Sequence, residues 1–247
     1  WYNQHMQKYF VRHKLSVGDI THLSDSDSEL ILSQNKLHVE DVIEVETYQN
    51  TYLAHITDME KNSVEVEILE DRGVRENSYV PSVSIIQALS NDTKFNYFVE
   101  KSVEIGIEKI IPTETRYSLR GKSKAIKDYG MWNKIIRDAT DQSRNTFPTM
   151  IEKPIRIKEL LEYNFEEDAV KICLATENVD AKYLNDVDVK NKPVYIAIGP
   201  EKGWSSSDLD VFKELNFTFV KLRGNILRTE TTGLVIGSII KYIKEEI

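Results

Sequence analysis

The sequence predicts a β-rich N-terminal part followed by an α/β domain with a mainly parallel sheet. Before about residue 80, apolar and polar residues alternate with a period of two, which is typical of half-buried strands. After that point, near-continuous apolar runs alternate with segments of helical period, as in a parallel sheet with covered faces. We place the boundary within residues 71–82 and assign residues 6–76 to the first domain and 77–247 to the second.

The first domain contains three clear strand patterns. They cover residues 41–47, 52–57 and 63–69. Several short strands at this spacing suggest a small barrel, and no long helix is evident before residue 90. Trp1–His5 precede Met6, where a natural beginning (MQKYFV) can be read, so these five residues are left out of the fold prediction.

The second domain alternates strands and helices along the chain. Strands are expected at residues 83–88, 109–112, 170–175, 194–198 and 218–222, and helices at about 92–107, 124–143, 205–215 and 231–246. Asn91 or Asp92 can cap the first of these helices, and Gly106 suits its end. Ser205 and Asp208 have the spacing of a capping box.

Composition excludes several kinds of site. The single cysteine, Cys173, rules out an intrachain disulfide and a multi-cysteine zinc site, and its apolar surroundings predict a buried, inert thiol. We expect no metal, because no cluster of ligand residues is present. No apolar run approaches the roughly 20 residues of a membrane span, so no membrane partner is expected. A reducing, cytoplasmic setting fits these features.

The charge is unevenly distributed. The net charge is −8, and residues 1–78 hold 7 Lys/Arg against 15 Asp/Glu. Residues 116–156 hold 10 Lys/Arg against 4 Asp/Glu. This basic segment could form a local phosphate-binding surface, or it could be an ordinary solvated helical face.

Three polar loops follow three of the predicted buried strands. They begin at Leu174 (LATE), Ile198 (IGPEKG) and Leu222 (LRGNILRTET). Ligands in open α/β sheets bind beyond the carboxyl ends of strands, so the three loops could converge on one small-molecule site. The glycine-containing loop matches neither a dinucleotide fingerprint nor a P-loop, and taken alone it could be only a tight turn.

The end of the third loop is the densest in functional groups. Thr229 could cap the final helix, and Glu230 would complement the helix dipole. That interpretation leaves Arg228 unexplained, because a cation is unfavourable at a helix N-terminus. An arginine in this place favours an anion as its partner.

These motifs in combination resemble the RsmE family of SPOUT methyltransferases, which methylate N3 of a uridine in 16S rRNA. IGPEKG followed by LRGNILRTET is similar to the family's IGPEGG and LGxRILRTET. Upstream, residues 94–112 match in Lys101, Glu104, Gly106 and Pro112. Further matches are Arg116-Tyr117-Ser118, Trp132-Asn133-Lys134-Ile135 and Asp141-Gln142-Ser143. The resemblance covers about residues 6–247.

The resemblance implies a particular architecture and set of partners. It implies a PUA-like, RNA-binding barrel at residues 6–76 and an α/β domain with a deep trefoil knot at residues 77–247. The cofactor would be S-adenosyl-L-methionine, held by the three loops. The partners would be the 16S rRNA of the small ribosomal subunit and a second copy of the chain in a homodimer.

The resemblance also implies roles for individual residues. The catalytic candidates are Arg228 and Glu201. The cofactor-binding candidates are Leu174, Ala175, Thr176, Ile198, Gly199, Pro200, Gly203, Leu222, Ile226, Leu227, Thr229 and Thr231. The RNA-binding candidates are Lys8, Arg12, Lys36, Arg116, Gln142 and Arg144. No residue stands out as a general base, because all five histidines lie in the first 55 residues.

The sequence departs from the family pattern at three places. Lys202 replaces a glycine, at a cost of about 1 kcal/mol if that position needs a positive φ. In the first domain an expected histidine is missing and Lys36 stands in for an arginine, while Asn91-Asp92-Thr93 replaces a KGD-like stretch. Two alternatives therefore stay open: methylation of another rRNA or tRNA nucleotide, and a non-catalytic RNA-binding scaffold.

Overall fold

The chain forms two compact units, one ending at Val80 and the other beginning at Pro81. The computed structural model describes residues 6–60, 62–75 and 80–247. The expectation about Trp1–His5 and the exact position of the predicted boundary between residues 76 and 77 lie outside the described residues. The second unit contains the candidate site.

The N-terminal unit is a five-stranded sheet with one helix. Its elements are β1 (Lys8–Phe10), β2 (Ile20–His22), α1 (Asp25–Gln34), β3 (Val42–Glu46), β4 (Asn50–Glu60) and β5 (Ser63–Val74). The sheet order is β1-β3-β4-β5-β2, and all pairs are antiparallel except β1 with β3. Alternate residues such as Ile43, Val45, Val64 and Val66 are buried, as the period-two pattern predicts.

Helix α1 was not predicted. Ser24 caps it by accepting a hydrogen bond from the backbone N–H of Asp27, and Asn35 ends it in the left-handed conformation. Only Ser28 and Ile31 are buried in the helix. An amphipathic pattern is therefore weak, and the helix depends on its caps and on the packing of Ile31 and the partly buried Leu32 against the core.

The C-terminal unit is built on an entirely parallel sheet. Its strands are β6 (Val83–Ala88), β7 (Lys109–Glu114), β8 (Met150–Ile151), β9 (Ile155–Arg156), β10 (Val170–Leu174), β11 (Lys182–Tyr183), β12 (Val194–Ile198) and β13 (Thr218–Lys221). They are ordered β11-β13-β10-β12-β6-β7-β8, and β9 also pairs with β7. The predicted α/β class with a parallel sheet is confirmed.

Five helices accompany this sheet. They are α2 (Asp92–Glu104), α3 (Lys122–Ala125), α4 (Tyr129–Ser143), α5 (Ser206–Glu214) and α6 (Thr229–Ile243). Asn91 caps α2, and the Ser205–Asp208 capping box of α5 is formed as predicted. The helix predicted at 124–143 is instead two helices separated by a 3₁₀ turn. Within the described part of the chain, no helix is long and apolar enough to cross a membrane.

Both faces of the sheet are covered by apolar side chains. Ile85 and Ile196 belong to a cluster that includes residues of α2, α4 and α6. Ile86 and Tyr195, their neighbours along the strands, belong to a second cluster that includes residues of α5. Cys173 lies in this second cluster, and its burial raises the pKa of the thiol well above its usual range. The prediction that this thiol is buried is confirmed.

A buried ion pair closes the end of α6. Lys241 is only 1% exposed, and its Nζ lies 3.1 Å from a carboxylate oxygen of Glu246. The other oxygen of Glu246 accepts a 2.5 Å hydrogen bond from the Ser82 hydroxyl at the start of β6. The pair thus ties the C-terminus of the chain to the first strand of the unit.

Replacing Glu246 by alanine is expected to lower the free energy of unfolding by about 3 kcal/mol, because it removes the carboxylate that lies 3.1 Å from a buried cation. Urea denaturation measures this loss. Glu162→Ala, at an exposed position, is the control and should change stability by less than about 0.5 kcal/mol. Equal stability of the two variants would contradict a structural role for the pair.

Candidate functional site

A cavity of about 810 Å³ lies at the carboxyl edge of the parallel sheet. It is formed where β10, β12 and β13 end, and these three strands are neighbours in the sheet. Its size is in the range of small-molecule sites. The predicted convergence of the three loops is therefore present.

Most of the predicted cofactor-binding residues line this cavity. Those that do are Leu174, Ala175, Thr176, Ile198, Gly199, Pro200, Gly203, Leu222, Ile226, Leu227 and Thr229. Thr231 is not among the lining residues, whereas Thr232 is. Thr232 is three residues after Thr229 and four after Arg228, so these three share one face of the helix start.

Glu177 joins the first loop to the second. Its carboxylate accepts hydrogen bonds from the backbone N–H of Thr176 at 2.9 Å and of Trp204 at 2.6 Å. The indole of Trp204 donates in return to the carbonyl of Leu174 at 2.7 Å. Sequence reasoning assigned no role to either residue. The sequence showed only that Glu177 lies inside the first predicted loop and that Trp204 directly follows the second, which did not indicate a contact between them.

The contact between Glu177 and the second loop requires a glycine at position 203. Its φ is +74°, and a Cβ atom there would lie 2.3 Å from a carboxylate oxygen of Glu177. Lys202, by contrast, is exposed, has no positive φ and does not line the cavity. Lys202 therefore does not carry the backbone strain of about 1 kcal/mol that a positive φ would cause, because the residue with the positive φ is the next one, Gly203.

Thr229 joins the third loop to the second. Its hydroxyl donates to the carbonyl of Gly199 at 2.6 Å and accepts from the side-chain amide of Gln87 at 2.9 Å. The prediction that Thr229 caps α6 is wrong, because Arg228 occupies the cap position. The threonine hydroxyl is committed to holding two loops and β6 together, a role that sequence alone did not reveal.

Arg228 lines the cavity at the N-terminus of α6. Its side chain is exposed, makes no capping hydrogen bond and has no ion-pair partner within the described ranges. The first N–H groups of a helix have no intrahelical acceptor and carry the positive end of its dipole. Guanidinium and helix end together favour an anion at this wall of the cavity.

Glu201, the other catalytic candidate, also lines the cavity and forms an ion pair with Lys94 of α2. The pair connects the second loop to the start of α2. Lys94 itself lines the cavity, although sequence reasoning gave it no role in the site. The carboxylate of Glu201 is therefore engaged by a cation in the structure.

None of the six RNA-binding candidates lines the cavity. Lys8, Arg12 and Lys36 belong to the N-terminal unit, where Lys8 pairs with Glu44. Arg116 follows β7, and Gln142 and Arg144 lie at the end of α4. Among the described residues, no group of three His, Cys, Asp or Glu side chains could hold a metal ion.

Fold and cavity define an α/β protein with a small-molecule site at the carboxyl edge of its parallel sheet. The chain belongs to the RNA methyltransferase domain family, whose model matches residues 76–241. The family-level resemblance noted from the sequence motifs is thus confirmed.

Relatives from several bacteria agree with this placement. The chain is similar to the ribosomal RNA small subunit methyltransferase E of Aquifex aeolicus, with 27% identity over 76% of this chain and 80% of the relative. It is 29% identical to that of Mesomycoplasma hyopneumoniae over 80% of this chain and 84% of the relative. The fold is similar to the crystal structure of the Neisseria gonorrhoeae enzyme bound to S-adenosyl methionine, with a TM-score of 0.64, 23% identity and 97% and 98% of the two chains covered.

Proposed function

We propose that this RNA methyltransferase uses S-adenosyl-L-methionine to methylate N3 of a uridine in the 16S rRNA of the small ribosomal subunit. The observation that carries the proposal is the three-loop cavity, whose wall includes Arg228, an arginine without an ion pair in the parts of the chain that the structure describes. The relatives named above are small-subunit rRNA methyltransferases, and one was crystallised with this cofactor.

The cavity suits this cofactor chemically. Leu174, Ile198, Leu222 and Leu227 offer apolar surface to an adenine and a ribose. The first turn of α6 offers the positive end of the helix dipole to the carboxylate of the methionine part. Ile226 lines the cavity and yet is 86% exposed, so a bound nucleoside would cover an apolar side chain that otherwise faces water.

The cofactor supplies a methyl group on a positively charged sulfur, and the chain has to prepare the acceptor. Uracil N3 carries a proton, and its removal leaves an anion. We assign to Arg228 the stabilisation of that anion or of a neighbouring phosphate, because its guanidinium has no ion pair among the described residues and the helix end adds positive potential. Glu201 acts through Lys94, holding the second loop against α2.

The architecture implied by the family forms part of the same proposal. The N-terminal unit would act as a PUA-like, RNA-binding barrel through Lys8, Arg12 and Lys36. The C-terminal unit would contain a deep trefoil knot, which is supported by the insertion of the last strand, β13, between the earlier strands β10 and β11. The working form would be a cytoplasmic homodimer, with Gln142 and Arg144 contacting RNA.

Methyl transfer to isolated small ribosomal subunits tests the proposal. With a radiolabelled methyl donor, the label is expected in 16S rRNA and, after digestion to nucleosides, in 3-methyluridine. Label in a different nucleoside would favour the alternative target, and binding of RNA without any transfer would favour the scaffold alternative. Either result would contradict the proposed reaction.

A further inference from the structure

A segment beside the cavity has exposed side chains that the site described above does not use. This segment, residues 116–127, follows β7 and is named here the basic loop. Because the sheet is entirely parallel, the carboxyl end of β7 lies at the same edge as those of β6 and β12. The basic loop therefore begins on the same side of the sheet as the cavity.

The start of the basic loop is fixed on two sides. The backbone N–H of Arg116 donates to both carboxylate oxygens of Asp208 at 3.4 Å, and Asp208 lies in the capping box just after the second cavity loop. The backbone N–H of Leu119 donates to the carbonyl of Leu89 at 3.1 Å. The backbone is thus held between α5 and the end of β6.

Arg120 is the anchor of this segment. It is buried, its Nε donates to the carbonyl of Ser90 at 3.1 Å, and its Nη1 lies 2.6 Å from Asp92 and also contacts Asp128. Asp92 begins the helix whose first turn contains Lys94 of the cavity wall. The anchor therefore ties the basic loop to the element that lines the cavity.

Three side chains of the fixed segment are exposed. Tyr117 is 43% exposed and Leu119 is 50% exposed, and Arg116 between β7 and Tyr117 is exposed too. An aromatic ring on a fixed backbone loses little conformational freedom when a flat partner stacks on it. Such a surface suits a ligand with planar apolar faces.

The charge of the basic loop identifies the ligand further. It contains five Lys/Arg and no Asp/Glu, in a chain with a net charge of −8. Arg120 is buried and Lys122 pairs with Glu159, but Arg116, Lys124 and Lys127 are exposed and have no ion-pair partner among the residues that the structure describes. A ligand that suits this surface has planar faces for the aromatic ring and many negative charges for the cations. Unpaired nucleic acid has both properties.

We propose that the basic loop binds the single-stranded RNA that flanks the methylated nucleotide, with one base stacked on Tyr117 and phosphates held by Arg116, Lys124 and Lys127. The inference rests on the proposed function, since it places the RNA beside the cavity in which the methyl donor would lie. A base removed from its stack for reaction leaves unstacked neighbours, and an aromatic platform compensates for that loss.

Fluorescence anisotropy with a labelled, uridine-containing single-stranded RNA 12-mer tests this inference. Tyr117→Ala is expected to weaken binding about tenfold without changing its salt dependence, and Tyr117→Phe to bind like wild type. Lys124→Ala with Lys127→Ala should reduce the slope of log K against log salt concentration by about 1.4, because each phosphate contact to a single strand contributes about 0.7. The affinity for the methyl donor should not change in any variant.

Controls lie far from the cavity. Tyr242→Ala removes a 75% exposed tyrosine near the other end of α6, and Lys190→Ala with Lys192→Ala removes two exposed lysines before β12, at the amino edge of the sheet. Wild-type affinity of Tyr117→Ala, equal losses in the controls, or no binding of the 12-mer by the wild-type protein would overturn the inference. If only the proposed reaction is wrong, the basic-loop variants still lose RNA affinity although no methyl group is transferred.

Discussion

Arg228→Ala is expected to lower the rate of methyl transfer by a factor of about 10²–10³ while leaving the fold intact. The guanidinium lines the cavity without an ion pair in the described part of the chain, so its charge is available to the developing anion. The exposed side chain makes no capping hydrogen bond, and its loss should change the free energy of unfolding by less than about 0.5 kcal/mol.

Arg223→Ala is the matched control for Arg228. Arg223 is also exposed and belongs to the same loop, but it lies over the ring of Tyr183 at 4.4 Å and does not line the cavity. Its removal should leave the rate within a few-fold of wild type. Radiolabelled transfer to small ribosomal subunits compares the variants, and full activity of Arg228→Ala would refute its assigned role.

Gly203→Ala is expected to abolish most cofactor binding, with a loss of at least about tenfold in affinity. The positive φ costs an alanine about 1 kcal/mol. The new Cβ would also lie 2.3 Å from the Glu177 carboxylate, which would have to leave the N–H groups of Thr176 and Trp204. Each lost hydrogen bond costs about 1 kcal/mol more, and both bonds shape the cavity.

Gly130→Ala serves as the control for this substitution. A Cβ at Gly130 meets nothing within 4 Å, and the residue lies in α4, so alanine should be neutral or slightly stabilising. Calorimetric titration with S-adenosyl-L-methionine measures the affinities. In a Glu177→Ala background, Gly203→Ala should have a smaller additional effect, because the two residues act at one contact. Additive losses would contradict the steric explanation.

The sequence predicted the framework of the site better than its internal bonds. The apolar runs of β6, β10 and β12 predicted a parallel sheet. Because ligands bind beyond the carboxyl ends of the strands in such sheets, the convergence of the three loops could also be predicted. Hydrophobic periodicity and sequence motifs do not predict which side chain of one loop forms a hydrogen bond with another loop. Glu177 and Gln87 were therefore missed, although Glu177 accepts a hydrogen bond from the backbone of the predicted residue Thr176 and Gln87 donates one to the predicted residue Thr229.

Misassigned residues show the same limit. Threonine often occupies the N-cap position of a helix, but the role of Thr229 is determined by its hydrogen bond to Gly199, 30 positions earlier. A positive φ was considered for Lys202, whereas the structure has it at Gly203. A sequence motif does not tell which of two adjacent residues has a positive φ. Helix α1 escaped notice since only two of its ten residues are buried. In each case a tertiary contact or a local backbone angle decided the outcome.

In our proposal, the three loops after β10, β12 and β13 form the binding site for the methyl donor. A crystal structure of the protein with S-adenosyl-L-methionine tests it most directly. We predict the cofactor in the cavity between Leu174, Gly199 and Leu227, with Arg228 beside it. Cofactor bound elsewhere on the chain, or loops that separate and leave no shared cavity, would contradict the claim.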